Sequence, residues 1–408
     1  MNVKTCYLKN QLSILIPMLF FTFGNFGFFN IFPNKVFFKL FLFLVIFVFS
    51  SVLLLNFLTK RENIDFLIDL FFLNIFLISI LSLNIVMFFS LVVLFYIKTL
   101  SQKDRIVINE VIVFLASVFS VLGCVSFFLV NFGNWDINNF YNGFSSSWGD
   151  EQIYFKHWYN YFSFVVTGRT TTIFGYEVYR VSSFASEPSL LFMYFYVPAV
   201  LLYMTSGFNC KSFIVLLFTL FFSISGVIYM TLFVSVIAYF YFRWMMTSVR
   251  LTFILFLISV FLFYYIVIFL GSVNFVEIIV KAFNGGTTDG VKISSAILRL
   301  ESLELVLSDI KEFRFFPKEN EATSVSYVAT SYLYGGLITF VTSSVLLLSL
   351  SRKVIYLAKK LPVFSAFAIG ILFQLITFSS YGFFGISGVI ILSLLYYTVN
   401  DKYFECRS

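Results

Sequence analysis

Residues 251–271 read LTFILFLISVFLFYYIVIFLG, a stretch without a single charged side chain. A helix needs about 20 consecutive apolar residues to cross the hydrocarbon core of a bilayer, and this stretch reaches that length. Basic residues, Arg243 and Arg250, lie just before it. The stretch therefore predicts a transmembrane helix whose first end faces the inner side of the membrane.

Comparable apolar runs recur along the whole chain, at 12–32, 36–58, 64–80, 82–99, 106–130, 189–206, 212–225, 227–242, 328–350, 363–380 and 383–399. Together with 251–271 they predict an all-α polytopic membrane protein of about twelve spans, in a single membrane domain over 1–408. The composition agrees, because 60% of the 408 residues are hydrophobic and only 12% are charged. A soluble protein carries about 25% charged residues.

Two apolar stretches, 64–99 and 212–242, are each long enough to be one overlong helix or a hairpin of two short helices. Basic residues distinguish these alternatives. With hairpins, most of the 27 Lys and Arg residues fall on one side, in short loops and at both chain ends. Because cations concentrate on the cytoplasmic side of membrane proteins, we favour hairpins, with the N- and C-termini in the cytoplasm.

Two outer segments are long, at 131–188 and at 272–327. Lipid cannot satisfy exposed backbone polar groups, so these loops must lie in water or on top of the helix bundle. The first loop is rich in Trp and Tyr, which either anchor at the headgroup level or stack on sugar rings. The second contains apolar residues at helical spacing over 293–312, which predicts an amphipathic helix lying across the bundle.

The charged residues that topology does not explain are concentrated in these two loops. Cations on the outer side run against the positive-inside rule, and a guanidinium group binds phosphate through two parallel hydrogen bonds. A substrate with a phosphate or diphosphate would explain them, and the alternative is a solvated arginine paired with a carboxylate. The four cysteines form no Cys-x-x-Cys pair and there is one histidine, so the sequence predicts no metal site. It contains no long basic run, which argues against nucleic acid as a partner.

The segment YRVSSFASEPS, residues 179–189, lies where the first outer loop meets the next span. Ser186, Glu187 and Pro188 suit the start of a helix, which is the local structural explanation for them. That explanation does not account for Arg180. Together, Arg180 and Glu187 would supply an anion-binding group and a proton acceptor at the mouth of the bundle.

This segment resembles the motif from Arg to Glu-Pro-Ser of bacterial O-antigen polymerases of the Wzy type and of the related O-antigen ligases. Two further regions are similar to the family. LFFSISGVIYM, 220–230, resembles its Ser-x-Ser-Gly helix break. ILRLESLELVLSDI, 297–310, followed by SYLYGGLITF, 331–340, resembles its Arg-bearing helix and helix entry, matching Arg299 and Gly335.

One position departs from the family pattern. Many members carry a histidine about eleven residues before the glycine of the helix entry, and this chain has Ser324 there. Its only histidine, His157, lies in the other loop beside Trp158, where an interfacial role is the more common one. No histidine role is therefore transferred from the family.

The resemblance implies a membrane glycosyltransferase of GT-C-like fold in the bacterial inner membrane, acting in lipopolysaccharide or other surface polysaccharide biosynthesis. Its substrate would be an oligosaccharide repeat unit on undecaprenyl diphosphate, polymerised at the periplasmic face without a cofactor. The lipid bilayer and a chain-length regulator protein are the partners implied. The alternatives are an O-antigen ligase, which would use the same arginines, and, in another class, a lipid-linked oligosaccharide flippase.

The resemblance also implies roles for individual residues. Arg180 and Arg299 would hold the diphosphate, and Glu187 would orient or deprotonate the acceptor hydroxyl. These three are the candidate catalytic residues. Further candidates for substrate binding are Arg169, Arg314, Tyr179 and Ser183.

Overall fold

The computed structural model describes residues 101–133, 144–146, 155–159, 165–173, 176–183, 191–206, 226–270, 303–316, 326–377 and 386–407, with isolated positions between 17 and 100 and at 223. Within these ranges four helices are long and apolar enough to cross a membrane, Gln102–Phe132, Val227–Met245, Val249–Ile266 and Tyr327–Leu357. The chain is therefore a mainly helical membrane protein. Apart from the isolated positions, the predicted spans 12–32, 36–58, 64–80, 82–99 and 212–225 lie outside the described residues.

The chain divides into two compact units. The first comprises Met1–Glu62, Phe89–Tyr229 and Gly382–Thr398, and the second comprises Asn63–Phe88, Met230–Tyr381 and Val399–Ser408. The single membrane domain over 1–408 stays a prediction.

In the first unit, helix α1, Gln102–Phe132, begins at a capping box. The Ser101 hydroxyl accepts a hydrogen bond from the Asp104 N–H at 3.3 Å, and the Asp104 carboxylate accepts one from the Ser101 N–H at 3.2 Å. These bonds satisfy donors that a helix start leaves free. In the first turns, the Arg105 guanidinium lies 4.4 Å from the centre of the Tyr397 ring.

The next described helix is joined to α1 by a buried hydrogen bond. Residues 191–206 are helical, with a π-helical turn at Phe192–Tyr196 before helix α2, Val197–Ser206. The Asn109 side-chain amide of α1 donates to the Pro198 carbonyl at 3.1 Å. Because a buried polar group needs a partner, this bond fixes α1 against α2.

The first long loop contains a four-stranded antiparallel sheet. Its strands pair in chain order, and β3 and β4 lie against α1. The bounds are β1 Phe144–Ser146, β2 Phe155–Tyr159, β3 Val165–Ile173 and β4 Tyr176–Ser183.

The sheet corrects the all-α fold class expected from the apolar runs. Its two longest strands are rich in Val, Thr, Ile and Tyr, which fit a pleated surface better than a helix. Ile173 pairs with Tyr176, so only Phe174 and Gly175 join the strands, and a glycine suits such a short hairpin connection.

The second unit is built from helices. Helix α3, Gly226–Phe240, runs into a π-helical turn at Tyr241–Met245, and α7 packs on α6, with α4 against both. The other helices of this unit are α4 Val249–Leu270, α5 303–311, α6 Tyr327–Leu357 and α7 Pro362–Thr377. Helix α3 belongs to the first unit as far as Tyr229, and helix α8, Ile386–Arg407, belongs to the first unit as far as Thr398 and to the second from Val399.

The ends of α6 and α8 lie together in the second unit. The Lys360 ammonium donates to the Cys406 carbonyl at 2.5 Å, and the rings of Tyr356 and Tyr403 lie 5.0 Å apart. The basic cluster 352–360 and the end of the chain therefore share one end of this unit, as their charges predict.

The predicted spans agree with the helices wherever both are described. The α6 region differs in one respect, because the predicted span 328–350 contains a break at Gly336, which has φ 73° and ψ −164°. The agreeing pairs are 106–130 with α1, 189–206 with the helix ending at Ser206, 227–242 with α3, 251–271 with α4, 363–380 with α7 and 383–399 with α8.

Candidate functional site

The candidate arginines of the first loop meet at an irregularity in the sheet. Val166 pairs with Val181, and Thr170 pairs with Tyr179. Three residues of β3, 167–169, therefore lie opposite the single residue Arg180 of β4. The backbone of Arg169 is thus brought beside that of Arg180, although the two residues are eleven positions apart in the sequence.

This irregularity is a β-bulge, which interrupts the ladder and re-aims side chains. Bulges are frequent next to active sites. Glycine within a strand often marks a bulge, and Gly168 lies within this one. A second register shift follows directly, because Val165 pairs with Ser183 while Val166 pairs with Val181. Ser183, a predicted substrate-binding residue, therefore lies at the same irregular end of the sheet.

The only histidine of the chain belongs to the same row of the sheet. His157 of β2 pairs with Thr167 of β3, which is part of the bulge opposite Arg180. The sequence separates His157 from Arg180 by 23 positions. The strand pairing thus brings the backbones of His157, Arg169 and Arg180 to the same part of the sheet. A single sequence motif could not show this.

Glu187 and Arg299 lie outside the described residues, as does Ser324. The predicted convergence of Arg180 and Arg299 on one diphosphate therefore stays a prediction. In the part of the chain that the structure describes, no group of three His, Cys, Asp or Glu side chains could hold a metal ion.

Arg314 is the candidate arginine of the second unit, and it is held by two neighbouring carboxylates. Its guanidinium lies 3.3 Å from Asp309 and forms a second ion pair with Glu312. The Arg314 carbonyl accepts a hydrogen bond from Tyr332 at 3.1 Å. These contacts match the alternative of a paired loop arginine and give Arg314 a role in shaping its own loop.

The helix α6 folds back on itself at Gly336. The Thr339 hydroxyl donates to the Ser331 carbonyl at 2.5 Å, and the Ser331 hydroxyl donates to the Thr339 carbonyl at 3.2 Å. Tyr327 and Ser343 share a side-chain hydrogen bond. In a straight helix residues eight apart lie about 12 Å from each other, so these bonds require two arms that run back along each other.

Both pairs are symmetric about Gly335, which places the turn of this helical hairpin at Gly335 and Gly336. The short arm, 327–335, is mostly buried, and its N-cap Ser326 is 1% exposed. Irregular backbone at membrane depth is tolerated only where protein surrounds it. The short arm is thus a helix buried within the protein.

The turn is closed by the loop that follows α5. The Leu337 N–H donates to the Phe315 carbonyl at 2.8 Å. A Cβ at Gly336 would lie 2.1 Å from that carbonyl oxygen, so the contact needs glycine, as does its positive φ. Leu303 and Val306 of α5 pack against Ala329 and Tyr332 of the short arm, within the range 293–312 that the apolar spacing predicts as a helix.

Comparison with known protein families, with curated proteins and with solved structures finds no match.

The hairpin was not predicted from the motifs, although the sequence contains its signal. Two consecutive glycines, Gly335 and Gly336, stand between Ser331 and Thr339, two hydroxyl residues that can satisfy carbonyls near the break. A hydropathy window averages over such a turn and returns one span.

Proposed function

We propose that this protein is a glycosyltransferase that polymerises oligosaccharide repeat units carried on undecaprenyl diphosphate. Its GT-C-like membrane domain has about twelve spans. Transfer takes place at the outer face of the bacterial inner membrane, where the bulged sheet follows the end of α1. The product is O-antigen or a related surface polysaccharide.

The observation that supports the proposal is the proximity of Arg169 and Arg180 in the bulge. A guanidinium group can donate two parallel hydrogen bonds to a phosphate, so an anion with two phosphates could be bound by two arginines whose backbones lie side by side. Arg180 also belongs to the segment 179–189, which resembles the family motif.

The chemistry is displacement of a diphosphate leaving group from the anomeric carbon of a sugar by an acceptor hydroxyl. Negative charge grows on the leaving group as the bond breaks, so arginines bound to it act more strongly in the transition state than in the ground state. Arg180 and Arg299 fill this role in the proposal. Glu187 orients the acceptor hydroxyl or takes its proton.

The proposed orientation puts both chain ends in the cytoplasm and the two long loops in the periplasm. Reporter fusions after Ser206 and after Lys318 test it. The first fusion should report cytoplasm and the second periplasm. The same side for both would overturn the count of spans.

A second candidate function is a lipid-linked oligosaccharide flippase. The short arm 327–335, which precedes the break in α6, favours this function. Broken helices surround substrate sites in many transporters. Against this alternative, the hydroxyls at the break bond to carbonyls across the hairpin, as Ser331 and Thr339 do. These bonds stabilise a structural turn without a bound substrate.

Deletion of the gene distinguishes the candidates. For a polymerase, the lipopolysaccharide of the deleted strain should run as a single-repeat band on a gel. Loss of all capped core would indicate the ligase or the flippase instead. The wild-type gene returned on a plasmid should restore the full ladder, and a normal ladder in the deleted strain would contradict all three functions.

A further inference from the structure

The loop that closes the hairpin exposes three phenylalanines. Phe313, Phe315 and Phe316 are 84%, 65% and 59% exposed, and they are separated only by Arg314. Such a concentration of uncovered aromatic surface is unfavourable in water and marks contact with something apolar. We call these three residues the Phe loop.

The backbone of the Phe loop is built for exposure. The Arg314 N–H donates to the Asp309 carbonyl and the Phe313 N–H to the Ile310 carbonyl, both at 3.0 Å. These bonds form a Schellman cap, and Phe313 occupies its left-handed position with φ 56°. Glycine is the usual residue there. The contacts of the described residues do not explain a bulky side chain at this strained position, because Phe313 is 84% exposed.

The hairpin fixes the depth of the Phe loop relative to the membrane. Phe315 is hydrogen-bonded to Leu337, which begins the long arm 337–357. From Leu337 to Arg352, the first cation of the inner cluster, the helix rises ~22 Å. The hydrocarbon core is about 30 Å thick. A tilt of the arm would make its rise across the membrane smaller than ~22 Å. With Arg352 at the inner edge of the hydrocarbon, as in the proposed orientation, the Phe loop lies below the outer edge.

The Phe loop is also continuous with an apolar stripe on the long arm. Ile338, Val341 and Val345 follow one another at helical spacing and are all exposed, as expected of a surface that faces lipid. The stripe starts one residue after Leu337, whose N–H is bonded to Phe315.

We propose that the Phe loop inserts into the outer leaflet and packs against lipid acyl chains. The ion pairs with Asp309 and Glu312 neutralise the positive charge of Arg314, which lowers the cost of bringing that residue close to hydrocarbon. The second long loop then has an anchored end at the hairpin instead of lying wholly in water. This inference rests on the proposed orientation of the spans but not on the proposed glycosyl transfer.

Spin labels at single cysteines test the insertion. The four native cysteines are replaced by serine, and the full-length protein is reconstituted into phosphatidylcholine vesicles with one label at Phe313→Cys, Phe315→Cys or Phe316→Cys. Power saturation measures collision of each label with oxygen, which concentrates in lipid, and with a water-soluble nickel chelate. Three separate positions keep the test open if one variant fails to fold.

Two matched controls calibrate the measurement. Phe261 in α4 is 68% exposed and represents a lipid-facing phenylalanine, and Phe404 near the basic end of α8 is 60% exposed and represents one in water. The proposal expects oxygen-to-nickel ratios in the Phe loop that match the label at Phe261→Cys.

Two results would overturn it. Ratios that match Phe404→Cys would place the loop in water. Low collision with both reagents would mean that protein covers the loop, either another segment of this chain or a second copy.

Discussion

Gly336→Ala tests whether α6 is a folded hairpin or a straight helix. Gly336 has φ 73° and ψ −164°, a region that only glycine occupies readily, and forcing another residue into it costs about 1–3 kcal/mol. The added Cβ would also meet the Phe315 carbonyl oxygen at 2.1 Å and displace it from the Leu337 N–H. Losing that bond costs about 0.5–1.5 kcal/mol more. The total is about 1.5–4.5 kcal/mol.

The assay is thermal unfolding of the purified protein in detergent. Unfolding is monitored by tryptophan fluorescence and by the fraction of the protein that remains monodisperse. The expected loss lowers the Tm by roughly 2–5 °C, because the entropy of unfolding scales with length and gives about 1 °C per kcal/mol for a chain of 408 residues. Ile338→Ala is the matched control, because Ile338 lies two residues away and is exposed, so its substitution should change stability by less than about 0.5 kcal/mol. A Gly336→Ala variant whose Tm equals or exceeds that of Ile338→Ala would refute the hairpin. In a straight helix the change from glycine to alanine would raise stability.

The other predictions concern the hairpin and the arginines. Thr339→Val should lower the free energy of unfolding by about 1 kcal/mol, because the Ser331 carbonyl loses a donor; an unchanged Tm would contradict the cross-arm bond. Arg180→Lys and Arg299→Lys should each abolish the polymer ladder, since a two-point transition-state contact of about 3–4 kcal/mol is worth roughly a hundred- to a thousandfold in rate. Normal ladders with lysine would show that charge alone suffices, and the double variant should be little worse than either single one. Glu187→Gln should remove polymer from a normally inserted protein, whereas a helix-start role, worth about 0.3–1 kcal/mol, would leave the ladder intact.

The spans of the second unit were predictable because lipid imposes a length and a charge rule on each helix. The run 251–271 differs from α4, Val249–Leu270, by one or two residues at each end. Two single arginines, Arg243 and Arg250, lie at the short connection between α3 and α4. Neither rule needs knowledge of tertiary contacts.

The sheet was missed because the aromatic residues of the first loop were interpreted through their chemistry. Strand signals were present in 165–183, where Val, Thr, Ile and Tyr dominate and Gly175 marks the turn. The bulge could not be predicted from these signals. It depends on the pairing of Val166 with Val181 and of Thr170 with Tyr179, which is a property of two strands together.

The candidate site was predictable only as a set of residue types. The outer arginines were identified from charge and topology, but the sequence could not separate Arg314, which two carboxylates hold, from Arg169, which lies in the bulge. Ion pairs at the end of a helix depend on the local turn. For Arg314 that turn is the Schellman cap at Phe313, a position where sequence rules expect glycine.

Transfer by the purified protein is the most direct test of the central claim. The full chain is reconstituted into vesicles with undecaprenyl diphosphate carrying one oligosaccharide repeat, and both the length of the glycan and the release of undecaprenyl diphosphate are followed. The wild-type protein should produce a ladder and release one carrier for each repeat added, and Arg180→Lys should produce neither. A folded wild-type protein that leaves the repeat at its original length, while moving the lipid from one leaflet to the other, would contradict the proposed glycosyl transfer and identify a flippase.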